Sequence, residues 1–219
     1  MGKLILVRHG HTPLNSHGKE ERLRAWLDIP LDSEGMREAV ETAQTLSCLT
    51  ITAIYSSDLR RARQTAETIH ASTNATLFTT DELRPWNLGI FGGQLLREII
   101  PFLNLLNENP DLPAPNGESF RQFYERYSRR LFELLEIAEK SAGDIIAVTH
   151  VRNVLAAETI LAHGNAEKVP VQGGPSTGSL TTIEKVSGLW RMHTVKTPPA
   201  PEIPADNHAA GVSRDLWAS

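Results

Sequence analysis

Short apolar runs of strand type alternate with amphipathic helical stretches along most of this chain, and that alternation constrains its fold more than any other feature. Leu4–Val7, Ile51–Tyr55, Thr76–Thr79 and Asp144–Thr149 read as buried strands. The first helical stretch is capped by Asp32 or Ser33 and runs to about Leu46, with Glu34 and Glu38 near its positive end. A second runs from Leu59 to about His70, with Leu59, Ala62, Ala66 and Ile69 on its core face and Ser56-Ser57-Asp58 supplying its N-cap. Glu118–Glu139 and Val151–Leu161 read as two more helices. Strands alternating with helices predict an α/β fold, a three-layer sandwich whose mainly parallel central sheet is covered on both faces. Ser179–Val186 and Leu189–Val195 read as closing strands around Ser187-Gly188. Leu83–Gln94 and Pro110–Gly117 read as loops, and Leu95–Asn107 as helical but kinked or split by Pro101. Residues 1–196 are expected to form one domain, with 83–117 as an insert over the site. The stretch from Thr197, with Pro198, Pro199, Pro201 and Pro204, is expected to be an extended or mobile tail.

Composition excludes several function classes. The 219 residues carry a net charge of −4, which argues against a dedicated nucleic-acid binder or anionic-membrane binder. Cys48 is the sole cysteine, so neither an internal disulfide nor a cysteine-based zinc site is available. No apolar stretch approaches membrane-spanning length, and the N-terminus enters a strand without a signal-peptide layout. A cytoplasmic location is the resulting expectation.

Polar residues cluster just beyond the predicted strands, where ligands bind in open α/β sheets. Leu4–Val7 ends abruptly in Arg8-His9-Gly10, followed by Asn15. Arg8 can fork onto a phosphate, His9 can act as nucleophile or proton carrier, and Gly10 lets the chain turn away without a Cβ crowding the pocket. A second cluster is Ser57–Thr65, a third Leu83–Gly93, and a fourth Thr149-His150, the last placed so that a helix N-terminus can add anion stabilisation. Within the second cluster, Arg60 and Arg63 are expected to face solvent.

In this order the clusters resemble the histidine phosphatase superfamily, the fold group of cofactor-dependent phosphoglycerate mutase. Arg8 to Asn15 match its Arg-His-Gly-x-Thr-x-x-Asn signature, and Trp26-Leu-Asp28-Ile-Pro30-Leu31 is similar to its Trp-x-Asp-x-Pro-Leu turn. Ser57-x-Leu59-x-Arg61-Ala62-x-x-Thr65 looks like its second arginine motif, Gly117-Glu118-Ser119 like the opening of a long helix, and Thr149-His150 like its second histidine. The resemblance implies a phosphoglycerate mutase-like fold and a nucleophilic His9 that becomes a phosphohistidine. It also implies that Arg8, Arg61 and His150 hold the phosphoryl oxygens with Asn15 assisting, with no metal and no cofactor. Two arginines and a cationic histidine would then place positive charge on the equatorial oxygens.

One position departs from the pattern. Many members carry a glutamate general acid in Leu-Arg-Glu-x-x-x-Gly, where this chain reads Leu83-Arg84-Pro85-Trp86-Asn87-Leu88-Gly89. Proline carries no proton. Three sources stand open: Glu82 or Asp81 just upstream, His150 or a substrate group, or a leaving group good enough to need no acid. Trp86, Leu88 and Phe91 are expected to wall the pocket, with Trp86 as a substrate contact.

The expected function is a metal-independent phosphatase of histidine acid phosphatase type, hydrolysing phosphomonoesters of small metabolites or of a phosphoprotein. Three rivals remain. One is a phosphoglycerate mutase-type phosphotransferase. Another is a phospho-ligand-binding protein with catalysis impaired at Pro85. The last is a metal hydrolase using His9-x-His11. The sequence leaves the substrate and the oligomeric state open.

Overall fold

The computed structural model describes residues 2–15 and 20–195; the proline-rich stretch from Thr197 lies outside them. Its six strands are β1 (Leu4–Arg8), β2 (Ile51–Ser57), β3 (Thr76–Thr80), β4 (Asp144–Thr149), β5 (Leu180–Val186) and β6 (Leu189–Val195). They form one sheet in the order β3-β2-β4-β1-β5-β6. β1 to β4 pair in parallel, while β5 pairs antiparallel with β1 and β6 antiparallel with β5. The five helices are α1 (Ser33–Leu46), α2 (Arg60–Thr73), α3 (Leu96–Glu108), α4 (Phe120–Lys140) and α5 (Val151–Leu161).

Alternation along the central strands divides the core into two layers. Leu4, Leu6, Ile145 and Ala147 face the larger cluster, built on α3, α4 and α5. Ile5, Val7, Ile146 and Val148 face the smaller one, under α1 and α2. A strand buried on both faces needs apolar residues at every position, which is why β1 and β4 read as unbroken runs. α4 starts at a capping box between Ser119 and Gln122 and buries Phe120, Phe123, Tyr127, Leu131 and Leu134 at helical spacing. The β5–β6 hairpin turns through Ser187 and Gly188 at φ 51° and 81°, the positive angles a two-residue primed turn requires.

Of the kink or split expected at Pro101, the split is not made: α3 is a single helix with Pro101 inside it. Pro101 is its sixth residue, so the missing N–H leaves one i→i−4 bond unmade near the N-terminal end. α2 is not capped by Ser56-Ser57-Asp58: Leu59 is the N-cap and makes no side-chain cap bond. Asp58 is taken by Arg84 through two hydrogen bonds of 2.7 and 2.5 Å. Asp28 supplies the acceptor instead, receiving the Arg60 N–H at 2.7 Å from a different loop.

α1 presses directly on the loop after β1. A Cβ on Gly35 would lie 2.0 Å from the His11 carbonyl oxygen, and one on Gly10 would lie 2.4 Å from the Gly35 carbonyl oxygen. Both obstacles are backbone, so neither yields cheaply. Gly35→Ala is expected to cost about 1–3 kcal/mol as an overpacked contact, seen as melting about 2–12 °C lower. Thermal denaturation measures it. Unchanged melting would show that α1 does not brace this loop.

Candidate active site

Parallel pairing of β1 with β4 brings two histidines together. Arg8 pairs with Thr149 in register, so His9 and His150 each lie one residue beyond the carboxyl ends of adjacent central strands. The His9 N–H donates to the Thr149 carbonyl at 3.0 Å and locks the two ends to each other. The rings face edge-on, with centroids 5.1 Å apart and planes at 61°. Both residues are 3% exposed.

The hydrogen bonds of His9 fix its tautomer. Nδ1–H donates to the Gly10 carbonyl at 2.7 Å, as a nucleophilic imidazole needs of a backbone acceptor. Nε2 therefore carries the lone pair, and Arg61 Nε–H donates to it at 3.3 Å. Burial first, then the positive charges of Arg61 and Arg8, hold the His9 pKa well below its usual range. The ring is uncharged at neutral pH.

Arg61 arrives from the other side of β4, on the first turn of α2, and is 1% exposed. Its Nη1 and Nη2 donate to the Leu27 and Ala25 carbonyls at 2.7 and 2.8 Å, which ties the turn containing Trp26 to the site. Arg60 and Arg63 on the same helix are exposed, as their register predicts. Arg8 sends Nη1 to the Pro175 carbonyl at 2.5 Å. Burial lowers the pKa of Arg61 to about 9 and of Arg8 to about 10, with the neighbouring Arg24 adding to both shifts. A buried cation without a nearby counter-charge is costly, and an anion seated among these groups relieves the cost.

His150 shows where that anion would sit. Both of its ring nitrogens and Arg8 Nε are buried with no hydrogen-bond partner among the described residues. His150 is also the N-cap of α5 and makes no side-chain cap bond, so its ring does not serve the helix end. The expectation of a cationic His150 is corrected for the free site. Burial, then Arg61, then His9 hold its pKa well below the usual range, so the ring is neutral until a bound anion offsets the arginines.

The remaining predicted site residues divide. Asn15 is buried, but its side-chain Oδ1 accepts from Thr12 N–H at 3.1 Å and from the Thr12 hydroxyl at 2.7 Å. That oxygen braces the loop, and only the amide nitrogen is left to serve a ligand. Trp86 lines the cavity with Pro85 and Leu88, while its indole N–H donates to the Glu118 carbonyl at 3.0 Å. Glu82 is not brought to the site. Its carboxylate lies 3.9 Å from Arg130 Nε on α4, it is absent from the cavity wall, and Asp81 beside it is exposed. The segment that carries Pro85 is held by its carbonyls: Leu83 accepts from Thr149 Oγ1, and Pro85 accepts from Trp26 Nε1 at 2.7 Å. His11, on which a metal reading rested, pairs with Asp32 at 2.6 Å. Among the described residues no cluster of three or more His, Cys, Asp or Glu side chains is placed to hold a metal ion.

Two cavity residues escaped the sequence reading. Arg24 and Arg152 line the same cavity as Arg61 and His150. Arg24 lies in a lead-in with no readable pattern. Arg152, two residues past His150 at a helix start, carried a positional signal that was not used.

The match of a family model described as the histidine phosphatase superfamily (branch 1) spans residues 4–197. A curated relative named "Probable phosphoglycerate mutase GpmB", from Cronobacter sakazakii, is 33% identical over 142 residues, covering 63% of this chain and 65% of that protein. The match therefore spans just under two thirds of that relative's length. Among solved structures, a mycobacterial glucosyl-3-phosphoglycerate phosphatase superposes with TM-score 0.74 at 25% identity, over 90% of this chain and 99% of the other. A phosphoglycerate mutase from Bacillus anthracis shares the fold with TM-score 0.74 at 24% identity, over 89% and 92% of the two chains. Among the described residues no helix is long and apolar enough to cross a membrane.

Proposed function

Because the chain belongs to the histidine phosphatase superfamily, branch 1, we propose that it is a metal-independent phosphatase that hydrolyses phosphomonoesters of small metabolites through a phosphohistidine on His9. One observation carries this reading. An uncharged His9 presents a lone pair on Nε2 beside Arg61, while Arg8 Nε and both nitrogens of His150 are buried without partners. Unsatisfied buried polar groups around a nucleophile suit a phosphoryl group, whose transfer needs positioning and charge more than covalent help. In the first step Nε2 bonds to phosphorus as the ester P–O bond breaks, and the alkoxide takes a proton from water. In the second, water attacks phosphorus, its proton passes to the hydroxide left by the first step, and the P–N bond breaks. Inorganic phosphate leaves and the lone pair returns to Nε2. The arginines and His150 neutralise charge on the equatorial oxygens in both steps.

The accessible volume of about 80 Å³ equals room for about half a dozen waters. The test is release of inorganic phosphate from p-nitrophenyl phosphate in excess EDTA. Chelator-resistant release is expected, and release that stops on chelation would defeat the metal-independent reading. Kinship with proteins named phosphoglycerate mutase supports a second reading, return of the phosphoryl group to an acceptor hydroxyl. In that case a labelled phosphoryl group would move between hydroxyls with little free phosphate.

Since Glu82 is engaged with Arg130, Glu82→Gln is expected to change kcat/KM by less than about twofold. Loss of a general acid would cost about 10²–10⁴-fold. A pH–rate profile compares them, and a lost limb in the variant would return Glu82 to the mechanism.

A further inference from the structure

Filling the phosphoryl site does not exhaust the positive charge of the cavity. Arg24, Arg61 and Arg152 line it, and the charge of Arg8 acts on His9 and His150. Arg24 is countered locally: its Nη1 and Nη2 both donate to Glu21 Oε1 at 3.1 Å. A phosphoryl dianion matches two of the remaining three. Arg152 is left. It lines the cavity with Trp86 and Leu88, and its Nη groups donate to the neutral carbonyls of Pro170 and Val171. No carboxylate pairs with it among the described residues, and burial pulls its pKa down to about 10. Two carbonyl bonds fix the plane of the guanidinium and leave three of its five N–H donors for another acceptor.

The geometry points to a second anion subsite at Arg152, so that the substrate carries a carboxylate or a second phosphoryl group in addition to the one transferred. This rests on the reading that the first phosphoryl group binds at His9. Arg152 and His150 line one cavity from the start of α5, so one substrate can reach both subsites. Arg152 is then a specificity-determining residue: its planar fork matches an anionic oxygen pair that an uncharged ester lacks.

Affinity measured without turnover tests the subsite apart from the reaction. Ethyl phosphate, phosphoglycolate and 1,2-ethanediol bisphosphate share one phosphoryl group and differ in the second group. Titration calorimetry on the His9→Ala protein is expected to show phosphoglycolate or the bisphosphate binding about 10- to 100-fold tighter than ethyl phosphate, the worth of hydrogen bonds to a charged group. Whichever of the two is preferred identifies the second anion. In His9→Ala/Arg152→Gln the ratio is expected to fall below about threefold, and Arg152→Lys to restore part of it, keeping the charge without the fork. With His9 intact, the ratio of kcat/KM values for phosphoglycolate and ethyl phosphate should fall in step on Arg152→Gln, a check if the double variant fails to fold. Equal affinities in the His9→Ala parent, a preference that survives Arg152→Gln, or no binding by any of the three would each overturn the inference. Loss of the phosphatase reading looks different: p-nitrophenyl phosphate turnover would persist in His9→Ala while the binding ratio still reported the subsite.

Discussion

Replacing His9 with alanine is expected to lower phosphate-ester turnover on the order of 10⁴- to 10⁶-fold, the scale seen when a covalent nucleophile is removed. Its ring presents an oriented and uncharged nitrogen lone pair: Nδ1–H is held by the Gly10 carbonyl, and Nε2 faces Arg61. His150 cannot take over. It shares the cavity, but it follows a different strand, and neither of its nitrogens is oriented by a hydrogen bond. Folding should survive, because the β1–β4 register and the His9 N–H bond to Thr149 are made by backbone. Steady-state release from p-nitrophenyl phosphate, with circular dichroism as the folding control, separates the effects. A folded variant with more than about a tenth of the parental rate would remove His9 from the reaction.

Arg61→Ala carries the second largest expected effect, about 10²–10³-fold in kcat/KM, the usual cost of deleting a charge-stabilising donor aimed at a transition state. Arg61 does three things at once. It donates to His9 Nε2, holds the Ala25 and Leu27 carbonyls, and places positive charge against both histidines. Deleting the side chain strands two carbonyls, each worth about 1–3 kcal/mol when buried unsatisfied. Removing a buried cation with little compensation returns part of that. The net loss of stability is therefore smaller than the loss of rate. Arg61→Lys keeps the charge, but a single ammonium does not reproduce the planar fork across three acceptors, so only partial recovery is expected. Added phosphate distinguishes an anion-site role from a scaffolding one. It should raise the melting temperature of the parent by binding the folded state, and do so far less in Arg61→Ala. Equal protection of both would mean that Arg61 supports the fold without contacting the anion.

Much of this site was legible because the residues that make it stand next to the elements that place it. Arg8-His9 and Thr149-His150 each end an apolar run, and parallel pairing of such runs puts both histidines at the carboxyl end of the sheet. Arg61 was legible only through its place in the resembled Ser-x-Leu-x-Arg-Ala-x-x-Thr motif; by itself it read like Arg60 and Arg63, which are exposed while Arg61 is buried. What local pattern did not reveal was competition for partners across the chain. Asp58 looks like a cap for α2, but Arg84 offers it two charged hydrogen bonds, which outweigh one backbone N–H. Glu82 looks like a replacement acid, yet its carboxylate lies 3.9 Å from Arg130 on the distant α4 and off the cavity wall. Arg24 and Arg152 are ordinary arginines in sequence. Only tertiary packing puts them on the wall of this cavity.

The central claim is a covalent bond between phosphorus and His9 Nε2, and trapping that bond tests it most directly. The protein would be mixed with a ³²P-labelled phosphomonoester, quenched during turnover in alkali, where a phosphohistidine survives, and digested for peptide mapping. Label that is lost in acid and maps to the peptide containing His9, absent from His9→Ala, is the expected result. Turnover without labelled protein, or label on a peptide that lacks His9, would contradict it.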